Sequence, residues 1–507
     1  MEQLQEQVTL DAKARWTHAS SARQQVLDRA RDCSKLTIPG LLPPEGHTDN
    51  TSLSTPYQSL GARGVNNLAS KLLLALLPPG TSFFRLQIAA AIKATLNADT
   101  SQKAEAKLAE IEQAVSKKIE TTTARPVLFE SLKHLVVSGN VLLHMPDSGL
   151  KMYRMDQYVV CRAPNGAPID VVIKEAVNPK SIRPTVRVAC DVPHDQKDNV
   201  DVYTVIEWSA DECREYQEIN GKLVPDSVGT RPLKKSEWFP LRWQAVPGQN
   251  WGRGLCEEYL GDLMSLEGIY EALLQFAASA AKIIFLVHPA SSTNIEDLNK
   301  AKSGQSVVGN KLDIDVLQMD KYADFQVVKA AADDLTLRLS HAFLLRSGTV
   351  RNAERVTAEE IRDTAQEIED VLGGTYTVLA NELQLPFVRR QMAMMQEKQE
   401  LPQLPENIVE PVIVTGFEAL GRNHSVNKLR AWLADIRANL PEAVGVLKFT
   451  VIVRRLGVGY GLEDLDSMIK TDDEIAEDQQ QTAAANAASQ AIGPVAGAIS
   501  KGMIGQQ

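Results

Sequence analysis

The residues from 255 to 284 decide the fold of this chain, and they read LCEEYLGDLMSLEGIYEALLQFAASAAKII. The apolar members recur in eight steps over 28 residues, a mean spacing of 3.5, and they are Leu255, Tyr259, Leu263, Leu266, Ile269, Leu273, Phe276, Ala280 and Ile283. A repeat of 3.5 residues is typical of helices that pack side by side along a seam. The stretch therefore predicts a long helix, from about 255 to 285, that packs against another helix.

Two more helices are predicted downstream of this stretch. The second covers about 330–345, and residues 286–328 between the two read as extended chain and loops with short apolar runs. A third long helix begins at the capping box of residues 357–360, whose side chains satisfy free amides of the first turn. Its apolar residues recur about every 3.7 positions, and the glycine pair 373–374 and Pro386 are expected to bend it.

The chain upstream of residue 255 divides into a helical part and a β-rich part. Helices are predicted at about 1–35, 61–77, 100–122 and 127–137. From Val141 to about Leu241 the apolar period changes toward two, which is typical of strands. The pairs Asn165-Gly166 and Asn220-Gly221 have the composition of tight hairpin turns. The sequence therefore predicts an α+β chain that is mainly helical, with a β-rich subdomain of about 100 residues.

Composition and charge narrow the class of protein. The chain has 507 residues, of which 44% are hydrophobic, enough for a sizeable core and about three domains. Its formal net charge is −10, whereas a protein that gripped nucleic acid over its whole surface would be basic. No run of 18 apolar residues predicts a membrane span, and the polar N-terminus lacks the features of a secretory signal. Five widely spaced cysteines without a C-x-x-C motif agree with use in a reducing cytoplasm.

The search for catalytic and metal-binding motifs finds none that is complete. Residues 304–311 have the glycine spacing of a phosphate-binding loop, but Asn310 stands where that loop requires lysine. No two of the eight histidines have the H-x-x-x-H spacing of a helical zinc site. Three acids, Asp313, Asp315 and Asp320, could hold a divalent cation, but a solvated loop is the favoured interpretation. The sequence therefore predicts a non-enzymatic protein with no catalytic residue, no cofactor and no metal.

A short arginine-bearing segment separates the second and third long helices. Arg346, Arg351 and Arg355 lie within ten residues, beside Gly348, which gives the backbone conformational freedom. One interpretation is an ordinary helix–helix connection with solvated charges. The other is a mobile loop that offers cations to a phosphate backbone, since arginine keeps its charge at any physiological pH. The residues alone leave both open.

Five segments of the chain together resemble one protein family. They cover residues 55–72, 132–143, 251–263, 354–362 and 372–386, and they include the strings TPYQSLGARGVNNLASKL, LKHLVVSGNVLL and ERVTAEEIR. Through these segments, which stand in the family's order, the chain resembles the portal proteins, or head-to-tail connectors, of short-tailed, T-seven-like podoviruses. The resemblance implies a portal fold, assembled as a dodecameric ring of identical subunits around an axial channel.

The resemblance also implies a division of the chain into named regions. They are the wing (1–254), the first stem helix (255–285), the clip (286–328), the second stem helix (329–345), the tunnel loop (346–356), the long wing helix (357–404), the crown (405–470) and a low-complexity tail (471–507). By the same resemblance, Arg346, Gly348, Arg351 and Arg355 are the tunnel-loop residues that would meet DNA.

For function, the resemblance implies the portal vertex of a bacteriophage capsid, a channel for double-stranded DNA during packaging and ejection. The expected partners are further copies of the chain, double-stranded DNA, the large terminase subunit, tail adaptor proteins, and the major capsid and scaffolding proteins. No insertion into a membrane is expected, and assembly would take place in the host cytoplasm before the protein becomes part of the virion. A scaffold protein of the virion that forms no channel is the alternative.

Overall fold

The computed structural model divides the chain into two compact units, residues 1–416 and 417–507. It describes residues 11–48, 50–79, 82–89, 92, 97–280, 284–287, 289, 294–308, 310, 314–317, 322–345, 372–403, 409–413, 421–439, 442, 447, 452–453 and 456–457. The first unit contains both helices and sheets, which confirms the mixed character predicted from the sequence. The predicted tail, 471–507, and most of the predicted crown, 405–470, lie outside the described residues.

Four helices and one strand form the N-terminal helical part. They are α1 (Ala12–Leu36), α2 (Leu60–Leu76), the strand β1 (Phe84–Ile88), α3 (Ala98–Thr121) and α4 (Ala124–Ser138). The end of α4 depends on Gly139, which has a φ of 73° and would bring a Cβ within 2.4 Å of the Arg253 backbone. Only glycine fits such a position, so the predicted break after α4 is confirmed.

The β-rich subdomain contains two antiparallel sheets. Its elements in chain order are β2 (Asn140–His144), β3 (Lys151–Tyr153), β4 (Tyr158–Arg162), β5 (Pro168–Val177), the short helix α5 (Pro184–Ala189), β6 (Val200–Trp208), β7 (Glu212–Ile219), β8 (Lys222–Leu223), β9 (Gly229–Pro232) and β10 (Trp238–Arg242). One sheet has the order β10-β2-β3, and the other has the order β4-β5-β6-β7-β8, with β9 also on β7. Asn220 and Gly221 have φ values of 52° and 74°, as a two-residue hairpin turn requires, which confirms the predicted turn.

Separate apolar cores hold these layers together. The largest lies between α2, α4 and the elements that follow residue 372, with Leu68, Leu72, Leu128 and Leu379 fully buried in it. A second core lies where α1 crosses β4 and β5, since Leu27 packs with neighbours of those strands. The larger sheet and the N-terminal helical part are therefore joined by the packing of α1 on β4 and β5 as well as by the covalent chain.

A helical hairpin follows the β-rich subdomain. Its elements are α6 (Leu255–Glu258), α7 (Leu260–Ala280), β11 (Ile284–Val287), α8 (Ile295–Lys300), β12 (Ile314–Leu317) and α9 (Tyr322–Ala342). The two long helices lie antiparallel, because the Phe276 and Phe325 rings are 5.2 Å apart at one end and Arg338 approaches Asp262 to 3.8 Å at the other.

The boundaries of this hairpin correct three sequence-based expectations. The expected single helix of 255–285 is divided at Tyr259, and the chain is already a strand at Ile284 because the run 284–287 pairs with 314–317. The second helix begins at Tyr322, inside the range 286–328 expected for the clip, where the Phe325 ring packs against Phe276.

The last long helix of the first unit is irregular in the middle. Helix covers 372–379, a π turn covers Ala380–Gln384, and α10 covers Leu385–Glu397. Pro386 has no amide to donate to the carbonyl four residues earlier, and the wider π turn lies directly before it. The irregularity expected at Pro386 is therefore present, whereas Gly373 and Gly374 lie within regular helix.

Two further elements complete the described chain. The strand β13 (Val409–Ile413) pairs antiparallel with β1. In the second unit, α11 (Gly421–Asn439) is the one long helix among the described residues of that unit. Nowhere in the described part of the chain is a helix both long enough and apolar enough to span a bilayer.

Candidate functional site

The four residues predicted to form the tunnel loop, Arg346, Gly348, Arg351 and Arg355, lie outside the described residues. The structure does describe the chain up to Leu345 and again from Leu372. The candidate site can therefore be built from the groups that hold the two ends of the segment 346–371.

The first end is the C-terminus of α9, which closes in a Schellman motif. The Leu344 amide donates to the His341 carbonyl at 3.1 Å, and the Leu345 amide donates to the Ser340 carbonyl at 2.7 Å. Leu344 has a φ of 53°, the left-handed conformation that glycine usually supplies at this position. Leucine there costs about 1–2 kcal/mol of backbone strain. Burial of the Leu344 side chain, which is 6% exposed, offsets this cost.

Side chains of α2 hold the last carbonyls of that motif. The Asn67 amide nitrogen donates to the Phe343 carbonyl at 3.1 Å and to the Leu344 carbonyl at 3.0 Å, and the Lys71 ammonium donates to the Leu344 carbonyl at 2.9 Å. A cation is favourable there, because the C-terminus of a helix carries partial negative charge. A Cβ on Gly64 would lie 2.5 Å from the Phe343 ring, so α2 needs glycine to come this close.

The second end of the segment is held by the same helix. The Tyr376 hydroxyl donates to the Ala75 carbonyl at 3.2 Å, and the Gln384 amide nitrogen donates to the Leu76 carbonyl at 2.7 Å. These two bonds satisfy carbonyls that the last turn of α2 leaves without helical partners. One helix therefore fixes both the residue before segment 346–371 and the helix after it.

Ion pairs fix the π turn and α10 from the other side. The Arg242 guanidinium pairs with Glu382 in the π turn, and the Arg242 backbone amide donates to the same carboxylate at 3.1 Å. Arg390 is fully buried and pairs with Glu237 at 2.7 Å and with Asp147 at 2.8 Å. Burial opposes the ionised form of Glu237, but His144, Arg390 and Arg231 outweigh it and hold the pKa of this carboxyl below its ordinary value.

The described residues show no arrangement typical of an enzyme. Among them, no three histidine, cysteine or acidic side chains come together as a metal site. Gly304 has a φ of 90° in a simple turn, closed by the Gln305 amide on the Lys302 carbonyl. Burial raises the pKa of the Cys33 thiol to about 12, which makes that cysteine unreactive. The side chains of Asp313, Asp315 and Asp320 are outside the described residues.

Sequence reasoning did not identify the groups that anchor the segment. Gly64, Asn67 and Lys71 follow one another at intervals of three and four, so they share one face of α2. A glycine and two polar residues that share one face of a helix rich in leucine were a usable signal. Their partners are about 275 residues away along the chain, and no local pattern points to them.

Comparison with known proteins decides the family. A family model described as "Bacteriophage head to tail connecting protein" matches residues 10–464. The chain belongs to this family of head-to-tail connecting proteins. The portal protein of Enterobacteria phage T3 is 38% identical, over 94% of this chain and 92% of that protein. The portal protein of Escherichia phage T7 is also 38% identical, over 98% of this chain and 94% of its own length.

One further relative and one solved chain are less similar in sequence. The portal protein of Enterobacteria phage SP6 is 35% identical over 82% of this chain and 81% of that protein. A solved chain from the neck of an empty gene transfer agent particle covers 78% of this chain and 89% of its own length, at 12% identity and a TM-score of 0.38. That score is too low to support an argument from shape.

The family assignment confirms the resemblance seen in the sequence. This head-to-tail connecting protein is a portal-vertex component of a phage capsid, and portal proteins are structural proteins of the virion. The alternative of a scaffold protein without a channel is not favoured by these relatives.

Proposed function

We propose that twelve copies of this chain form a ring around an axial channel through which double-stranded DNA is packaged and ejected. The observation that carries the proposal is the family match over residues 10–464 together with the relatives named as portal proteins. In this proposal the wing is 1–254, the stem is the hairpin of α7 and α9, and the clip is the chain between them. The long wing helix, 357–404, and the crown, 405–470, complete the subunit.

The stem hairpin supports the ring proposal because one copy of it leaves large apolar side chains uncovered. Large apolar side chains on it are strongly exposed, including Val327 at 71% and Met264 at 59%. Burying such a side chain fully is worth about 1.5–3 kcal/mol, which favours contact between copies. A head-to-tail contact that repeats around a closed rotation gives a ring.

The clip supports a docking role at the narrow end. Its strands β11 and β12 form a two-stranded antiparallel sheet in which, within the described residues, each strand has one neighbour. The outer edges of such a sheet are ready to pair with another extended chain. In the proposal this end receives the large terminase subunit during packaging and the tail adaptor proteins afterwards. The capsid and scaffolding proteins meet the wider part of the ring.

The charge of the chain supports a channel rather than a tight DNA-binding site. Twelve copies at −10 carry a formal charge of −120, which opposes tight binding of a polyanion. Against that background, Arg346, Arg351 and Arg355 of the tunnel loop, with Gly348, would supply weak and repeated phosphate contacts. The anchors on α2 support this role, since they fix where the segment 346–371 leaves and rejoins the subunit.

Purified protein tests the proposal directly. We expect negative-stain images to show closed rings with a central hole, and sedimentation to show a single large species at micromolar concentration. Compact particles without a hole would indicate a scaffold that forms no channel. Monomers across all salt conditions would show that the ring proposal is wrong. ATP hydrolysis by the pure protein would contradict the non-enzymatic role.

A further inference from the structure

The stem hairpin has exposed apolar side chains on both of its long helices. On α7, Met264 is 59% exposed and Leu274 is 52% exposed; on α9, Val327 is 71% exposed and Leu337 is 58% exposed. Single exposed apolar residues are ordinary on protein surfaces, but a concentration of them marks an interaction surface. Four such residues that are each more than half exposed, on one two-helix hairpin, therefore need an explanation.

All four side chains point away from the partner helix within the subunit. Leu274 is two residues from Phe276, and Val327 is two residues from Phe325, the two rings that pack across the hairpin. Two positions turn a helix by about 200°, so each lies on the opposite side from that contact. Met264 stands in the same relation to Asp262, which meets Arg338 across the hairpin.

Leu337 faces outward for a similar reason. It lies two residues from both Leu335 and Leu339, which are buried at 7% and 0% exposure. The outward face of α7 is thus on one side of the hairpin, and the outward face of α9 is on the other. The two faces cannot cover each other within one subunit.

The exposed residues of the two faces lie at matching heights, where height means the position along the hairpin axis. Phe276 is level with Phe325, so Leu274, two residues earlier, is level with Val327, two residues later, because the helices are antiparallel. Asp262 is level with Arg338, and by the same count Met264 comes within one residue, about 1.5 Å, of the height of Leu337. Leu274 and Val327 therefore lie level with each other along the hairpin axis, and so do Met264 and Leu337, about ten residues further along.

Both faces continue as stripes with the spacing of a helix–helix seam. Steps of three and four give Met264, Glu267, Glu271 and Leu274 on α7, and Val327, Ala330, Asp334, Leu337 and His341 on α9. Two of the acids in these stripes have partners in their own subunit. Glu267 accepts the Tyr57 and Gln58 amides at 2.8 and 3.2 Å, and Asp334 pairs with Arg338 at 3.3 Å.

We infer that the α7 face of one subunit packs on the α9 face of the next copy, with Leu274 against Val327 and Met264 against Leu337. Rotation about an axis parallel to the hairpin keeps every residue at its height. It therefore brings level side chains on opposite faces of neighbouring copies together. The inference rests on the proposed ring and adds the residue-by-residue register of its stem.

Disulfide trapping tests this register. The background is Cys161→Ser, because Cys161 is exposed whereas the other four cysteines are buried. Leu274→Cys with Val327→Cys is one matched pair, and Met264→Cys with Leu337→Cys is the other. Met264→Cys with Val327→Cys is the control, since its members are about 15 Å apart in height, beyond the reach of a disulfide. We expect oxidised matched pairs to run as covalent multimers on non-reducing gels, and the control to run as monomer.

A charge-pair rescue gives a second measurement in case cysteine substitutions impair assembly. Leu274→Glu alone should abolish rings in negative stain, adding Val327→Lys should restore them, and adding Leu337→Lys should not. Parent rings with unlinked matched pairs, or with equal linking of the control, would overturn the register while the ring stands. Images without rings for the parent protein would overturn the ring, and the register with it.

Discussion

Replacing Asn67 by alanine should destabilise the Schellman motif at the C-terminus of α9, directly before the segment 346–371. Asn67 donates to the Phe343 and Leu344 carbonyls at 3.1 and 3.0 Å, and each such bond contributes about 0.5–1.5 kcal/mol net. Lys71 still donates to the Leu344 carbonyl in the variant, so about 1–2 kcal/mol should be lost from the local closing of the Schellman motif. Such a change raises the population of the open motif about 5–30-fold.

Hydrogen exchange at the Leu344 and Leu345 amides measures this opening, because both amides are protected by bonds of the motif. Their exchange in assembled Asn67→Ala protein should be faster by the same 5–30-fold. Asn66→Ala is the matched control, since the exposed Asn66 side chain donates to Ala62 within its own helix. Equal exchange of the two amides in the Asn67 variant, the Asn66 variant and the parent would refute the anchoring argument.

Three other expectations can be checked. Changing Arg346, Arg351 and Arg355 together to alanine should leave rings intact in negative stain but lower the fraction of filled heads that keep their DNA after packaging stops; parental retention would exclude an electrostatic role. Burial, with Arg154 and Lys133 nearby, lowers the pKa of His134 to about 4. Between pH 6.5 and 4 this histidine therefore binds a proton more readily in the unfolded chain, and the fall in pH lowers the free energy of unfolding by about 3 kcal/mol. His134→Leu should flatten the dependence of the melting temperature on pH in that window, and an unchanged slope would show that other groups cause it. Deleting part of the chain between α7 and α9, within 286–321, should leave the far-ultraviolet circular dichroism of the wing in place but abolish terminase docking; continued packaging would remove the clip assignment.

The parts of the fold that sequence could predict are those set by local pattern. The strands between Val141 and Leu241 were visible as runs rich in valine, isoleucine and tyrosine, and the Asn220-Gly221 pair carries the positive φ values that its turn requires. The seam of α7 was visible because its 3.5-residue repeat places Leu263 and Leu266 on one face, and both are fully buried. In each case, neighbours along the chain hold the information.

The parts that sequence could not predict depend on contacts between distant residues. The first turn of α9 packs through the Phe325 ring on Phe276, a residue about 50 positions away along the chain. The anchors of the candidate site are more remote still, since Asn67 finds its carbonyl partner 277 residues away at Leu344. Leu344 itself adopts a glycine-like conformation that its own sequence does not favour.

The capping of α2 by Tyr376 and Gln384 has a consequence for synthesis. These bonds join groups 301 and 308 residues apart, so α2 leaves the ribosome long before the residues that complete its C-terminus exist. Domains fold in the order of synthesis, but contacts of such separation form late because the intervening chain must first be ordered. A nascent chain that stops before residue 372 therefore lacks both the cap of α2 and the helix that holds the far end of the segment 346–371. The C-terminus of α2 is therefore completed only when translation is more than two thirds finished.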